Sequence, residues 1–171
     1  CIEVPLNSPN ALQSIATLQS NLPTDCLVGA GTVLTLDQVK SVAQTGAKLV
    51  VMPHANPELI RAATDRKMFC VPGVTTITEA LSALDNGAHA LKLFPAESVP
   101  PSVLQAWRSV LPKSSICLPV GGVKPDGMQA YVHSGANGFG LGSNLYSAGM
   151  NTVQVAHNAQ AYIEAWHRIR G

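Results

Sequence analysis

Ala90-Leu91-Lys92-Leu93-Phe94-Pro95 sets a lysine inside a short apolar run. Gly87 precedes the run and Pro95 closes it, and it is too brief for a helix, so it reads as a buried strand. Side chains alternate along a strand: Leu91 and Leu93 share one face, while Ala90, Lys92 and Phe94 share the other. Runs of the same kind recur at 2–6, 26–30, 48–52, 68–71, 89–94, 116–120 and 138–141. Between them lie amphipathic stretches at 10–22, 36–45, 57–67, 77–86, 101–111 and 125–134, and a longer one at 153–170 closes the chain. Pro57, Pro101 and Pro125 stand where helices begin, and Gly46, Gly87 and Gly135 where they stop. Sustained strand–helix alternation implies parallel strands joined by helical crossovers. Two architectures fit, a doubly wound sheet and a (β/α)8 barrel. No G-x-G-x-x-G follows the first strand, which argues against the dinucleotide-binding form of the former. An eight-unit barrel needs at least about 200 residues, and one further βα unit before residue 1 would supply them. The expectation is therefore one α/β domain over 1–171, a (β/α)8 TIM barrel lacking its first βα unit. The chain starts without Met inside a strand, in keeping with an incomplete N-terminus.

Composition narrows the function. Of 171 residues only 12% are charged, against roughly 25% in ordinary globular chains, and 46% are hydrophobic. Net charge is +1 with no basic run, so nucleic acid is not an expected partner. No apolar stretch approaches the roughly 18 residues of a membrane span. Cys1, Cys26, Cys70 and Cys117 are far apart, without C-x-x-C or zinc spacing, and each lies in or beside an apolar run. Buried free thiols and a reducing cytoplasm are the expectation. His54, His89, His133, His157 and His167 form no H-x-H or H-x-x-x-H cluster, so no metal site is expected. His54 follows Pro53 at a strand end, close to where a pocket would open.

In a barrel the active site lies at the C-terminal ends of the strands. A buried lysine there loses its proton readily, and a neutral amine attacks carbonyls to form a Schiff base. The competing reading is structural: Lys92 reaches water from an edge strand or pairs with a carboxylate. Glu3, facing inward by alternation, is the available carboxylate, as a structural partner of Lys92 or as a proton carrier. Val120-Gly121-Gly122-Val123 ends one strand, and Gly138-Phe139-Gly140-Leu141-Gly142-Ser143-Asn144 ends the next. Glycines let the backbone approach a ligand. Ser143 and Asn144 are expected to open a short helix over 145–148, and helix N-termini after the last two barrel strands hold phosphate.

Glu3-Val4-Pro5-Leu6-Asn7-Ser8-Pro9, Gly29-Ala30-Gly31-Thr32-Val33-Leu34, Leu91-Lys92-Leu93-Phe94-Pro95, Gly121-Gly122-Val123 and Gly140-Leu141-Gly142-Ser143 stand in order along the chain. Together they resemble the 2-keto-3-deoxy-6-phosphogluconate and 6-phosphogalactonate aldolase family, and the 6-phosphogalactonate branch most through 5–9 and 141–146. The resemblance implies a homotrimer of (β/α)8 barrels working without metal or other cofactor on a phosphorylated keto-deoxy sugar acid. It assigns Lys92 to the Schiff base and Glu3 to proton transfer. Asn7, Thr32, Pro53 and Phe94 match the substrate pocket, and Gly121, Gly122, Gly142 and Ser143 the phosphate site. Family members carry an earlier strand with an arginine at its end, which has no counterpart here. Asn7 stands where the gluconate branch usually has an arginine, so a preference for the galactonate substrate is the expectation. Rival readings are a phosphogluconate or 4-hydroxy-2-oxoglutarate aldolase, a phosphosugar isomerase or epimerase, and an inactive trimeric phosphosugar-binding protein.

Overall fold

The computed structural model describes residues 1–171. Its elements follow the predicted alternation. The strand β1 (Ile2–Pro5) leads to α1 (Ala11–Asn21), β2 (Val28–Gly31) to α2 (Leu36–Gln44), and β3 (Leu49–Val51) to α3 (Pro57–Asp65). Next come β4 (Phe69–Val71), a two-residue β5 (Gly73–Val74), α4 (Ile77–Asp85), β6 (Leu91–Leu93) and α5 (Pro101–Arg108). The chain closes with β7 (Cys117–Pro119), α6 (Met128–His133) and α7 (Thr152–Arg170). Single 3-10 turns lie at Ala96–Ser98 and Pro125–Gly127.

Local chemistry sets the helix starts. Thr35 Oγ1 accepts from Gln38 N at 3.2 Å while Gln38 Oε1 accepts from Thr35 N at 3.2 Å, which satisfies two otherwise orphaned donors of α2. Thr76 and Glu79 do the same for α4, and Asn151 and Gln154 for α7. At α3 the Asn56 carboxamide accepts from Glu58 N and Leu59 N, and Pro57 occupies a first-turn position where no N–H is missed.

The chain divides into two compact units, Cys1–Lys92 and Leu93–Gly171. In the first, β1, β2, β3 and β4 form a parallel sheet in that order, with Glu3 opposite Gly29 and Leu49 opposite both Gly29 and Phe69. Its core is aliphatic: Ile15, Val28, Val39, Val42, Val50, Met52 and Ile60 are fully buried. Gly29 is obligatory, because a Cβ there would lie 1.8 Å from the Leu49 carbonyl oxygen. The segment entering β5 bonds to β6 through Lys92 N and Pro72 O at 2.9 Å. In the second unit, Val120 N donates to Leu93 O at 3.0 Å, Ala96 N donates to Val120 O at 2.9 Å, and Val120 bridges Gly140 in parallel. Ala96, Val123, Met128, Tyr162 and Ala165 make one core cluster there, with Tyr131, Phe139 and Trp166 packed against it. No helix is long and apolar enough to cross a membrane.

Three expectations need correction, and one strand was not expected. Residues 138–141 form a single bridge and no strand. Glycine in a strand contributes no side chain and loses more entropy on ordering, and Gly140 itself leaves no room for a Cβ, which would meet Val120 Cγ2 at 2.5 Å. The helix expected over 145–148 is a turn, in which Leu145 N and Tyr146 N both donate to Gly142 O and Gly149 turns the chain at φ 92. One such turn pays the nucleation entropy without propagation. Cys70 and Cys117 are buried thiols, whereas Cys1 is exposed and Cys26 half-buried. Finally, β5 carries no apolar run of its own, so periodicity misses it.

Candidate active site

Lys92 lies at the centre of β6, between Leu91 and Leu93, both fully buried, and is itself only 8% exposed. Removing the ammonium from water disfavours its charged form, so burial holds the Lys92 pKa below that of an ordinary lysine. The Glu3 carboxylate opposes this and favours the charge. The converse holds at Glu3, where burial raises the carboxyl pKa above the usual glutamate value and the Lys92 charge lowers it. These shifts bring an amine with a depressed pKa and a carboxyl with a raised one into the same electrostatic neighbourhood.

Glu3 lies on β1, the first strand of the sheet. Over the whole residue it is exposed, yet its carboxyl is surrounded densely enough to be desolvated. The first describes open surface along the side chain and the second the surroundings of the carboxyl group, and the seat of that group reconciles them. A Cβ built on Gly31 would fall 1.8 Å from Glu3 Oε2 and 2.4 Å from Cδ. The carboxyl therefore rests on the bare Cα of Gly31, two residues beyond its register partner Gly29 and toward the C-terminal end of β2. Gly31, quoted above only as part of a motif, is thus the residue that seats the Glu3 carboxyl. What marks it is the glycine opposite and ahead of a strand carboxylate.

Thr32 follows at φ 55, a left-handed conformation that β-branched residues avoid. Backbone held in that region costs about 1–3 kcal/mol and gathers at ligand sites. Pro53 and His54 follow β3. Their backbone presses on Gly73, where a Cβ would meet the Pro53 carbonyl carbon at 2.5 Å, so that glycine too is required by close approach. His54 Nδ1 is buried without a hydrogen-bond partner. Asn7 is exposed in the loop after β1. In the first unit, then, Glu3 lies within the electrostatic reach of Lys92, and Thr32 directly follows the glycine on which Glu3 rests.

In the second unit the Phe94 ring lies against Gly121, its Cδ2 and Cε2 3.7 Å from where a Cβ would be. Gly121 and Gly122 have φ 104 and 69, a conformation that favours glycine and exposes successive backbone N–H groups. Gly142 and Ser143 are exposed in the turn after Gly140. With no helix there, any anion site on this segment relies on turn N–H groups rather than a helix terminus. Asn144 Nδ2 donates to Val123 O at 3.4 Å and links the two glycine-rich segments.

The family model for KDPG and KHG aldolase matches residues 1–161, and the chain belongs to that family. It is therefore an aldolase, a carbon–carbon lyase, and its fold class is the parallel α/β, (β/α)8 barrel class of these enzymes. The chain is 44% identical over 170 residues to the "Probable 2-dehydro-3-deoxy-6-phosphogalactonate aldolase" of Rhizobium meliloti (strain 1021), covering 99% of this chain and 80% of that one. It is 41% identical over 165 residues to the 2-dehydro-3-deoxy-6-phosphogalactonate aldolase of Escherichia coli (strain K12), covering 96% and 80%. Among solved structures, a native KDPGal structure superposes with a TM-score of 0.96 at 40% identity, over 99% of this chain and 82% of that chain.

Proposed function

We propose that the protein is a Schiff-base aldolase that cleaves 2-dehydro-3-deoxy-6-phosphogalactonate to pyruvate and D-glyceraldehyde 3-phosphate. The observation that carries this reading is the buried Lys92 on β6, its ammonium disfavoured by burial, with the Glu3 carboxylate acting on it. The names of the relatives at 41–44% identity support the substrate.

The steps follow from these groups. The free amine of Lys92 adds to the C2 carbonyl, and loss of water from the carbinolamine leaves an iminium. The C4 hydroxyl gives up its proton as the C3–C4 bond breaks, and the released electron pair enters the iminium to form an enamine. Aldehyde departs. Protonation at C3 and hydrolysis of the resulting iminium release pyruvate and restore the amine. Glu3 transfers the protons, and its raised pKa brings it nearer to neutrality, where a general acid–base works best. Asn7, Thr32, Pro53 and Phe94 are assigned to substrate binding, and the N–H groups around Gly121, Gly122, Gly142 and Ser143 to the phosphate. The enzyme acts as a cytoplasmic homotrimer in this reading.

Incubation with pyruvate and borohydride tests the chemistry. The reduced adduct should sit on the peptide containing Lys92, and Lys92→Ala should abolish both adduct and cleavage while keeping its fold. An adduct on Lys48 or Lys113, or none, would overturn the mechanism.

A further inference from the structure

Two side chains one turn apart on α7 reach the segments that follow the two glycine-rich turns. The Tyr162 hydroxyl donates to the Val123 carbonyl at 2.8 Å, immediately after Gly121 and Gly122. Asn158 Nδ2 donates to the Leu145 carbonyl at 3.1 Å, three residues after Gly142. The Asn144 carboxamide, in the second turn, shares the Val123 carbonyl with Tyr162 at 3.4 Å. A single helix thus holds both turns, and each turn touches the other.

Such support has a physical purpose. Gly121, Gly122 and Gly142 offer no side chain by which neighbours can restrain them, and both turns are exposed. Backbone N–H groups cradle an anion well only when their directions are set before it arrives. By contrast α7 is well suited to be the fixed part. It runs for 19 residues, begins in the Asn151–Gln154 capping box, and is anchored in the core by Tyr162, 5% exposed, and Ala165. Both hydrogen bonds go to backbone carbonyls, so they fix the peptide planes themselves.

We infer that Asn158 and Tyr162 are positioning residues that hold the Gly121-Gly122 and Gly142-Ser143 turns in register for the substrate phosphate, an inference that rests on reading those turns as the phosphate clamp. Neither side chain touches substrate. Each acts through the carbonyl it binds, and the two bonds are additive restraints on one two-part cradle.

The test uses the full chain carrying Tyr162→Phe or Asn158→Ala, with kcat and KM measured on the phosphorylated keto-deoxy acid and on its unphosphorylated counterpart. Each variant should raise KM for the phosphorylated substrate about 3- to 10-fold, as loss of one hydrogen bond would. The unphosphorylated substrate and the rate of borohydride-trapped pyruvate adduct should be unaffected. Tyr162→Phe deletes one oxygen from a buried ring and should keep the wild-type melting temperature within a few degrees. Equal losses on both substrates, or an unchanged KM, would overturn the positioning role while the imine chemistry stands. A wild-type enzyme that treats both substrates alike would instead overturn the phosphate reading itself.

Discussion

Gly31→Ala separates where the Glu3 carboxyl sits from what it is. The new methyl carbon would lie 1.8 Å from Glu3 Oε2, 2.4 Å from Cδ and 2.7 Å from Oε1. To reach the 3.4 Å at which ordinary contact begins, the nearest oxygen must retreat by about 1.6 Å. The moving group is the far end of a flexible side chain, and Gly31 is not at positive φ, so the strand itself accepts alanine. Alanine in a strand interior even gains about 0.5–1 kcal/mol over glycine in conformational entropy. Stability should therefore change little. Displacing a proton-transferring group by more than about 1 Å, however, costs roughly 10²-fold in rate. The assay is solvent exchange of the pyruvate methyl protons, read beside borohydride trapping at Lys92. Exchange should slow by about 10²-fold in Gly31→Ala while the adduct still forms. The double variant Gly31→Ala/Glu3→Gln should be no slower than Glu3→Gln alone, since both changes act on one group. Wild-type exchange in Gly31→Ala would refute the role of this seat.

Ser143→Asp places a negative charge among the turn N–H donors and should impair the phosphorylated substrate far more than the unphosphorylated one; equal impairment would move the phosphate elsewhere. Comparing kcat/KM for the two C4 epimers tests Asn7: a misdirected hydroxyl leaves a polar group unpaired at about 1–3 kcal/mol, so the galactonate epimer should be preferred by roughly 10-fold or more. In the proposed mechanism the free amine of Lys92 reacts, so adduct formation should rise with pH and level off below 10.5, the ordinary lysine value. Glu3 raises the Lys92 pKa, so Glu3→Gln should move that rise to lower pH, and an unmoved profile would deny the coupling. For Glu3 itself the folded state holds its proton more tightly than an unfolded chain. Its contribution to stability is full below the ordinary value of 4.5 and is lost as pH rises through the raised one. Stability of Glu3→Gln across that window should lack this loss. In the second unit Arg108 donates to the carbonyls of Gly135 and Ser115 and to Asn137 Oδ1, and Arg108→Met should cost about 2–3 kcal/mol in denaturant unfolding.

The strand–helix alternation was legible because it depends on local properties: apolar runs bounded by Gly and Pro, and caps such as Asn56-Pro57 that act within three residues. Lys92 was legible for the same reason, since a lysine between buried leucines violates the pattern around it. Where reading failed, a local signal was present but pairing or propagation did not follow it. Residues 138–141 have a strand's alternation, yet their glycines cannot sustain pairing, and only the approach of Val120 shows how little of a ladder forms. Turn 143–146 looks like a helix start, but nothing downstream propagates it.

By itself, then, the sequence determined the order and kind of elements, the lysine and carboxylate to which the proposed chemistry is assigned, and the glycines where backbone comes close. Tertiary structure alone decided which glycine serves which partner. Register puts Glu3 beside β2 so that its carboxyl rests on Gly31, and α7 places Asn158 and Tyr162 on carbonyls 13 and 39 residues away. Such pairings join segments distant along the chain, and no local propensity encodes them. They exist only once packing has brought the segments together.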